Sequence, residues 1–312
     1  MQPDDVSVIM VSYNCRQYIE QCLQSIAASP TACSYKVIVV DNNSSDDTVS
    51  VVKSNFSNVQ LICNEENIGF ARGNNQALQI ANSRYAMLLN PDTLVREGAF
   101  DTIVKFLDAH VHVWALGPAI LNGDGSPQRT GIRFPSNWNF LVETLFLDRL
   151  FPYSRLFGAH RELYEDYSKP RAVDYVQGSC LVVRKEVIEK VGVLDERFFM
   201  YFEETDWCYR IKQAGGAIMF LPSAEVVHFG GGEAGHYNER RLLQYHQSLL
   251  KFYRKHYSLK RLFWLKVILS VRSFIRIIVL SLMALGRPKL RQAALSSVKG
   301  YAKTFALLTE GA

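Results

Sequence analysis

Short, unbroken apolar runs alternate along the chain with stretches whose apolar residues recur at helical spacing. Residues 6–13 are apolar almost without interruption, as expected of a strand buried on both faces. Ile19, Cys22, Leu23 and Ile26 follow at helical spacing. Residues 36–41 and 59–63 repeat the strand pattern, with a helix predicted over 49–56 between them. A glycine-containing stretch, 64–75, leads into a helix through Ala81, and residues 85–89 make a fourth strand. Buried strands alternating with helices call for a parallel sheet with right-handed crossovers. Further on, the pattern predicts a helix over 97–110, a strand over 114–121, a tight Asn-Gly-Asp-Gly turn at 122–125 and a hairpin arm over 128–134. A helix over 140–150 precedes an aromatic, charged and weakly periodic stretch, 151–169, read as a mobile segment near a site. Then come a strand over 173–184, helices over 186–191 and 203–212, a strand over 217–221, another ending at His228, and a helix over 243–257.

Polar residues gather where the first four strands end: Ser12, Tyr13 and Asn14, then Asp41 and Asn43, then Asn64 and Asn67, then Asn90 and Asp92. At one turn this is ordinary capping. At four successive strands it points to one ligand lying across the sheet edge, where open α/β sheets bind ligands. Pro91 ends the ladder and leaves Asn90 and Asp92 on a short tip. A carboxylate and an amide there can hold a divalent cation, and the cation a diphosphate; the plain reading is a capped turn. Gly69 and Gly73 would let backbone approach a phosphate. The spacing is neither GxGxxG nor a P-loop, so an NAD-type or NTPase reading has little support. Gly178 within its strand marks a bulge, a close ligand approach or plain packing. Glu203, Glu204 and Asp206 crowd one helix start, either as charge–dipole partners or as a general base. His228, before three glycines, is either structural or a metal ligand.

Charge divides the chain. Of its 312 residues, 1–250 carry 22 Lys and Arg against 29 Asp and Glu, whereas 251–312 carry 13 against one, Glu310. An acidic body with a basic tail points to an anionic partner for the tail. Residues 262–286 are apolar but broken by Lys266, Arg272 and Arg276, and the longest uncharged run, 277–286, is short of the roughly 20 residues of a span. The expectation is an interfacial amphipathic helix with its basic side toward anionic lipid. Without a base-reading motif, nucleic acid is not the expected partner. The acidic start, followed directly by a strand, does not read as a signal peptide. Six scattered cysteines with no CxxC pair read as reduced thiols in a cytosolic setting.

In this order, residues 6–14, 37–46, 67–75, 88–92, 178–185, 198–206 and 227–232 together resemble family 2 glycosyltransferases, a GT-A fold group, and its rhamnosyltransferase-like branch in particular. The likeness spans roughly residues 6–235. It implies an α/β, Rossmann-like mixed sheet flanked by helices, with a nucleotide-binding part (1–121), an acceptor part (122–240) and a helical, membrane-associating extension (241–312).

The resemblance implies an inverting glycosyltransferase taking a sugar, rhamnose by preference, from a dTDP- or UDP-linked donor. The acceptor would be a glycan or lipid-linked glycan in cell-surface polysaccharide synthesis, and the place the cytoplasmic face of the plasma membrane. It places base and ribose near Ser12, Tyr13, Asp41 and Asn43, and the rest of the donor near Gly69, Arg72, Asn74, Asn90 and Gly178. Asp92 takes the metal position of the DXD motif and His228 the later ligand position, for Mg²⁺ or Mn²⁺. Glu204 falls at the base position, with Glu203 and Asp206 as alternatives. Two departures stand out: Asn90 replaces the first aspartate of DXD, and Glu204 replaces the usual aspartate. The competing reading is a non-catalytic sugar- or nucleotide-binding protein on the same fold.

Overall fold

A computed structural model describes residues 4–128, 130–158, 165–230, 239–286 and 291–309. The chain opens with β1 (Val6–Ser12), α1 (Arg16–Ala28), β2 (Tyr35–Asp41), α2 (Thr48–Asn55), β3 (Gln60–Cys63), α3 (Phe70–Ile80) and β4 (Tyr85–Leu89). All residues of β1 and β4 are buried, which is why both read as continuous apolar runs. Helix α1 buries Ile19, Cys22, Leu23 and Ile26, the four its periodicity singled out. Next come β5 (Thr93–Val95), α4 (Ala99–Ala109), β6 (Val113–Leu121), β7 (Pro127–Gln128) and β8 (Gly131–Ile132). Then follow α5 (Asn137–Thr144), α6 (Leu147–Leu150), β9 (Arg171–Ala172), β10 (Tyr175–Val176), β11 (Cys180–Arg184) and α7 (Lys185–Val191). The chain continues through α8 (Glu203–Gln213), β12 (Ala217–His228), α9 (Glu239–His256), α10 (Leu259–Gly286) and α11 (Arg291–Thr309).

The main sheet runs β3-β2-β1-β4-β11-β6-β12-β5, with β7 on β6 and β9 on β12. Strands β1 to β4 are parallel, β11 is antiparallel to both its neighbours, and β12 is parallel to β6. The sheet is therefore mixed, as the resemblance implied. The connections reverse direction between β1 and β4, so the carboxyl ends of those two strands flank the switch point where such sheets take ligands. Apolar layers cover both faces: one joins α1 and α4 to the sheet, the other α3, α7 and α8.

Three expectations are corrected. The strand predicted over 173–184 is two pieces, β10 on β8 and β11 in the main sheet, with residues 177–179 outside any strand. The two strands expected around Pro222 are one, β12, which absorbs the proline through a register shift between Leu221 and Glu225. The helix predicted over 140–150 breaks at Phe146, whose φ is 58°. Of the stretch 151–169, residues 159–164 lie outside the described residues, as do Gly231 and Gly232.

Two compact units divide the chain. The first comprises residues 1–134, 166–199 and 203–232 and holds the sheet; the second comprises 135–165, 200–202 and 233–312. In the second, α10 packs along α11, α9 and α5. Gly300 lets α11 approach α9 closely, since a Cβ there would lie 2.9 Å from Leu242 Cδ2. The six cysteines are unpaired: Cys22, Cys180 and Cys208 are buried, Cys15 and Cys33 half-buried, and Cys63 exposed.

Candidate active site

The polar strand ends do converge. Ser12 Oγ donates to Asp41 Oδ1 at 2.9 Å, and the Ser44 amide donates to Asp41 Oδ2 at 2.8 Å. Asp41 is thereby held by its own loop, at the carboxyl ends of β1 and β2. Asn43 beside it is exposed with φ 63°, and Tyr13 is exposed at the end of β1. Asn42 links this loop to α3, donating to Gly69 O at 3.1 Å and accepting from Asn64 at 2.9 Å.

Gly69 has φ +88°, and a Cβ on it would lie 2.7 Å from Phe199 Cδ2. The Phe70 amide at the start of α3 donates to Phe199 O at 2.8 Å. A Cβ on Gly73 would sit 3.0 Å from Val11 Cγ1. Both glycines thus allow close packing of protein on protein. Asn74 donates to Phe70 O, while its own Oδ1 is buried without a partner. Arg72 is exposed and pairs with Glu196 at 3.3 Å.

At the tip after β4, the Asn90 amide donates to Ser179 O at 3.0 Å, and Thr93 Oγ1 donates back to Asn90 O at 2.7 Å. β5 then pairs with the end of β12, setting Thr93 opposite His228. This brings Asp92 Oδ1 within 3.3 Å of His228 Nε2, both side chains 15% exposed. Gln128 Nε2 donates to His228 O at 2.6 Å and to Asn122 Oδ1 at 2.8 Å. Its Oε1 is thereby turned to His228 Nδ1, 3.0 Å away, so Nδ1 carries the proton. Nε2 is left facing the Asp92 carboxylate, where a proton or a divalent cation can lie between the two. Ligand atoms about 2.1 Å from one divalent ion subtend such a separation near a right angle. Among the described residues, no group of three or more His, Cys, Asp or Glu forms a metal cluster. Asp92 and His228 thus fit a cation completed by ligand oxygens or water.

Gln128 was not singled out from the sequence. Its signal was the 122–125 turn, which folds β7 back on β6 and sets Gln128 opposite Ile120.

The three acids of α8 have different surroundings. Asp206 is fully buried and bound to Arg210 at 2.9 Å, and Arg210 ties down Val191 O and Val193 O. It is occupied in holding the α7–α8 connection. Glu203 and Glu204 each have a buried Oε2 without a hydrogen-bond partner. Burial pushes the Glu204 carboxyl up to about 7, against smaller opposing hydrogen bonds from Thr205. Burial, with the neighbouring Glu204 charge, raises Glu203 well above the usual carboxylate range. Tyr201 and Phe202, just before the helix, have φ of 67° and 69°, a conformation that costs side-chain-bearing residues roughly 1–3 kcal/mol each. Gly178 lies along Glu204: a Cβ on it would sit 3.7 Å from Glu204 Cγ. The short segment 178–179 therefore touches the Asn90 tip on one side and Glu204 on the other. Glu204, with its pKa pushed up to about 7, lies on one side of this segment and the Asn90 tip, two residues before Asp92, on the other. A base and a cation held there could deprotonate one group while offsetting another's negative charge.

Comparison with known proteins gives the following. The glycosyl transferase family 2 model matches residues 7–192. An N-acetylglucosaminyl-diphospho-decaprenol L-rhamnosyltransferase of Mycobacterium tuberculosis is 28% identical over 260 residues, 80% of this chain and 84% of that one. The rhamnosyltransferase WbbL of Escherichia coli is 25% identical over 281 residues, 87% of this chain and 97% of that one. Among solved structures, the mannosyltransferase PcManGT of Pyrobaculum calidifontis, in complex with GDP-Man and Mn²⁺, aligns over 98% of this chain and 87% of its own. Its TM-score is 0.59 at 17% identity, a likeness of fold.

Proposed function

The chain belongs to glycosyl transferase family 2, and from that premise we propose that it is an inverting sugar transferase of cell-surface polysaccharide synthesis. The donor is a nucleoside-diphosphate-sugar, dTDP-rhamnose by preference, and the acceptor a hydroxyl of a lipid-linked glycan. The rhamnosyltransferases among its relatives support this choice, one of them named for a diphospho-decaprenol acceptor. The observation that carries the reading is Glu204, buried, raised toward neutrality and packed along Gly178, next to Ser179, which accepts from the Asn90 tip that leads to the Asp92–His228 pair.

In this reading the nucleotide lies along Ser12, Tyr13, Asp41 and Asn43, and the rest of the donor near Arg72, Asn90 and Gly178, while Gly69 and Asn74, both buried, position the start of α3 beside it. Glu204 removes the proton of the acceptor hydroxyl. That oxygen attacks the anomeric carbon in line, the bond from carbon to diphosphate oxygen breaks, and the electron pair leaves with the diphosphate. Asp92 and His228 hold a divalent cation, Mg²⁺ or Mn²⁺. When bound, the cation offsets the negative charge growing on the leaving phosphate. Glu204 suits its role because a base with a pKa near the working pH is both deprotonated and a strong proton acceptor. The basic tail seats the enzyme on the anionic cytoplasmic face of the membrane, where a lipid-linked acceptor resides.

Incubation with a panel of nucleotide-sugars, Mn²⁺ and a polyprenyl-diphospho-N-acetylglucosamine acceptor tests the reading. Transfer from one donor, lost in Glu204→Gln, is the expected result. Donor binding with full biological activity in Glu204→Gln would indicate a binding protein instead.

A further inference from the structure

The charges of α10 do not lie where the sequence suggested. Trp264, Val267, Val271, Phe274, Ile278 and Leu285 recur at spacings of three, four and seven residues and are 38–80% exposed. They form one stripe about 32 Å long. Leu262, Leu265, Leu269 and Ser273 line the opposite, buried side. Lys266, Arg272 and Arg276 are half-buried and project more than about 100° away from the centre of the stripe. Arg272 is bound to Glu143 of α5 at 2.7 Å, and Arg276 lies over the Phe146 ring at 5.3 Å. The cations that break the apolar run in sequence are thus turned inward within the helical unit, and the outward stripe carries none.

We propose that this outward face of α10 is embedded in the hydrocarbon of a lipid bilayer, with the helix lying along the membrane. The proposal rests on the membrane seat described above and changes its physics: apolar burial, rather than attraction of a basic face to headgroups, supplies the hold. Helix α10 is long and apolar enough over Leu259–Leu285 to cross a membrane. Its inner side, however, carries an ion pair and packs on α5, α9 and α11, so only one side is offered to lipid. Two features favour lipid over a second copy of the chain. Lys260 and Arg261 precede Phe263 and Trp264 at one end, the order of basic and aromatic residues found at a bilayer interface. The residues flanking the stripe, Ile268, Ile275 and Val279 on one side and Ser270 and Ser281 on the other, are uncharged, and α10 contains no acid, so the charged flanks that set a coiled-coil partner are missing.

Flotation of the full chain tests this, on phosphatidylcholine vesicles with and without phosphatidylglycerol, at low and at about 1 M salt, where the Debye length is roughly 3 Å. The expected result is binding to neutral vesicles that survives high salt and falls about tenfold or more in Phe274→Glu and Ile278→Glu. Val111→Glu, at a still more exposed apolar position in the sheet unit, should float like the wild type. Circular dichroism melting of each variant checks that these surface changes leave the fold intact. Binding that requires phosphatidylglycerol and is released by salt would overturn hydrocarbon insertion but keep the membrane seat. Absence of binding to any vesicle would overturn both, leaving the transferase assay to judge the chemistry alone. A lipid-free dimer that Phe274→Glu dissociates would give the face to a second copy and overturn the proposal.

Discussion

Glu204 carries two costs: a buried carboxylate oxygen with no hydrogen-bond partner, and a pKa pushed up to about 7 by burial. A raised carboxyl pKa means that the folded state binds the proton more tightly than the unfolded chain does. Stability from this group is therefore full below its ordinary pKa of 4.5 and is lost as pH rises through about 7. Glu204→Gln should abolish most transfer, by about 10²–10⁴ in kcat. The same variant should be more stable at pH 8 by about 1–3 kcal/mol in chemical denaturation. For the wild type, kcat/KM should fall about tenfold per pH unit below an acid limb near 7. Glu203 is raised as well, by burial and the Glu204 charge, but is not the assigned base, so Glu203→Gln should leave the limb in place. A limb near 4.5 would contradict the assignment. At the proposed metal pair, Gln128 fixes the imidazole with Nε2 toward Asp92. Gln128→Ala should weaken Mn²⁺ binding about 10–100-fold by calorimetry, with the fold intact. Asp92→Ala should cost more activity than Asn90→Ala, since Asp92 holds the carboxylate; equal losses would reverse that ranking.

The elements explain which of these residues could be found by reading. Parallel strands buried on both faces, such as β1 and β4, advertise themselves as apolar runs, and their ends mark the ligand edge. The Asp92–His228 pair depends instead on β5, three residues long, and on a twelve-residue strand that continues past Pro222. Neither leaves a local pattern, because pairing between strands distant in sequence sets both. Gly178 was visible but ambiguous: only the fold shows that β10 leaves the main sheet before β11 joins it, laying residues 177–179 against Glu204. Helix α11 lies within the extension expected to be helical, and its Gly300 is explained only by the packing on α9, where a Cβ would meet Leu242 and the Glu239 backbone. Gly69 is where an element-level prediction bites. Gly69→Ala forces a left-handed φ on a side chain and a 2.7 Å clash with Phe199. It should destabilise the chain by about 1–3 kcal/mol in denaturant titration and raise the KM for donor by displacing the start of α3.

For the molecule as a whole, charge and chemistry separate into two units: an acidic sheet unit with the polar strand ends, and a basic helical unit with the exposed apolar face. The linear charge count located the basic unit but could not show that on α10 contacts with Glu143 and Phe146 turn Arg272 and Arg276 away from the exposed stripe. The central claim concerns the first unit. Its most direct test is nucleoside-diphosphate release from dTDP-rhamnose and other donors, with Mn²⁺ and a polyprenyl-diphospho-N-acetylglucosamine acceptor, for wild type beside Glu204→Gln and Asp92→Ala. The account predicts acceptor-dependent release by the wild type from one donor and its loss in both variants. Acceptor-dependent release undiminished in Glu204→Gln would contradict it.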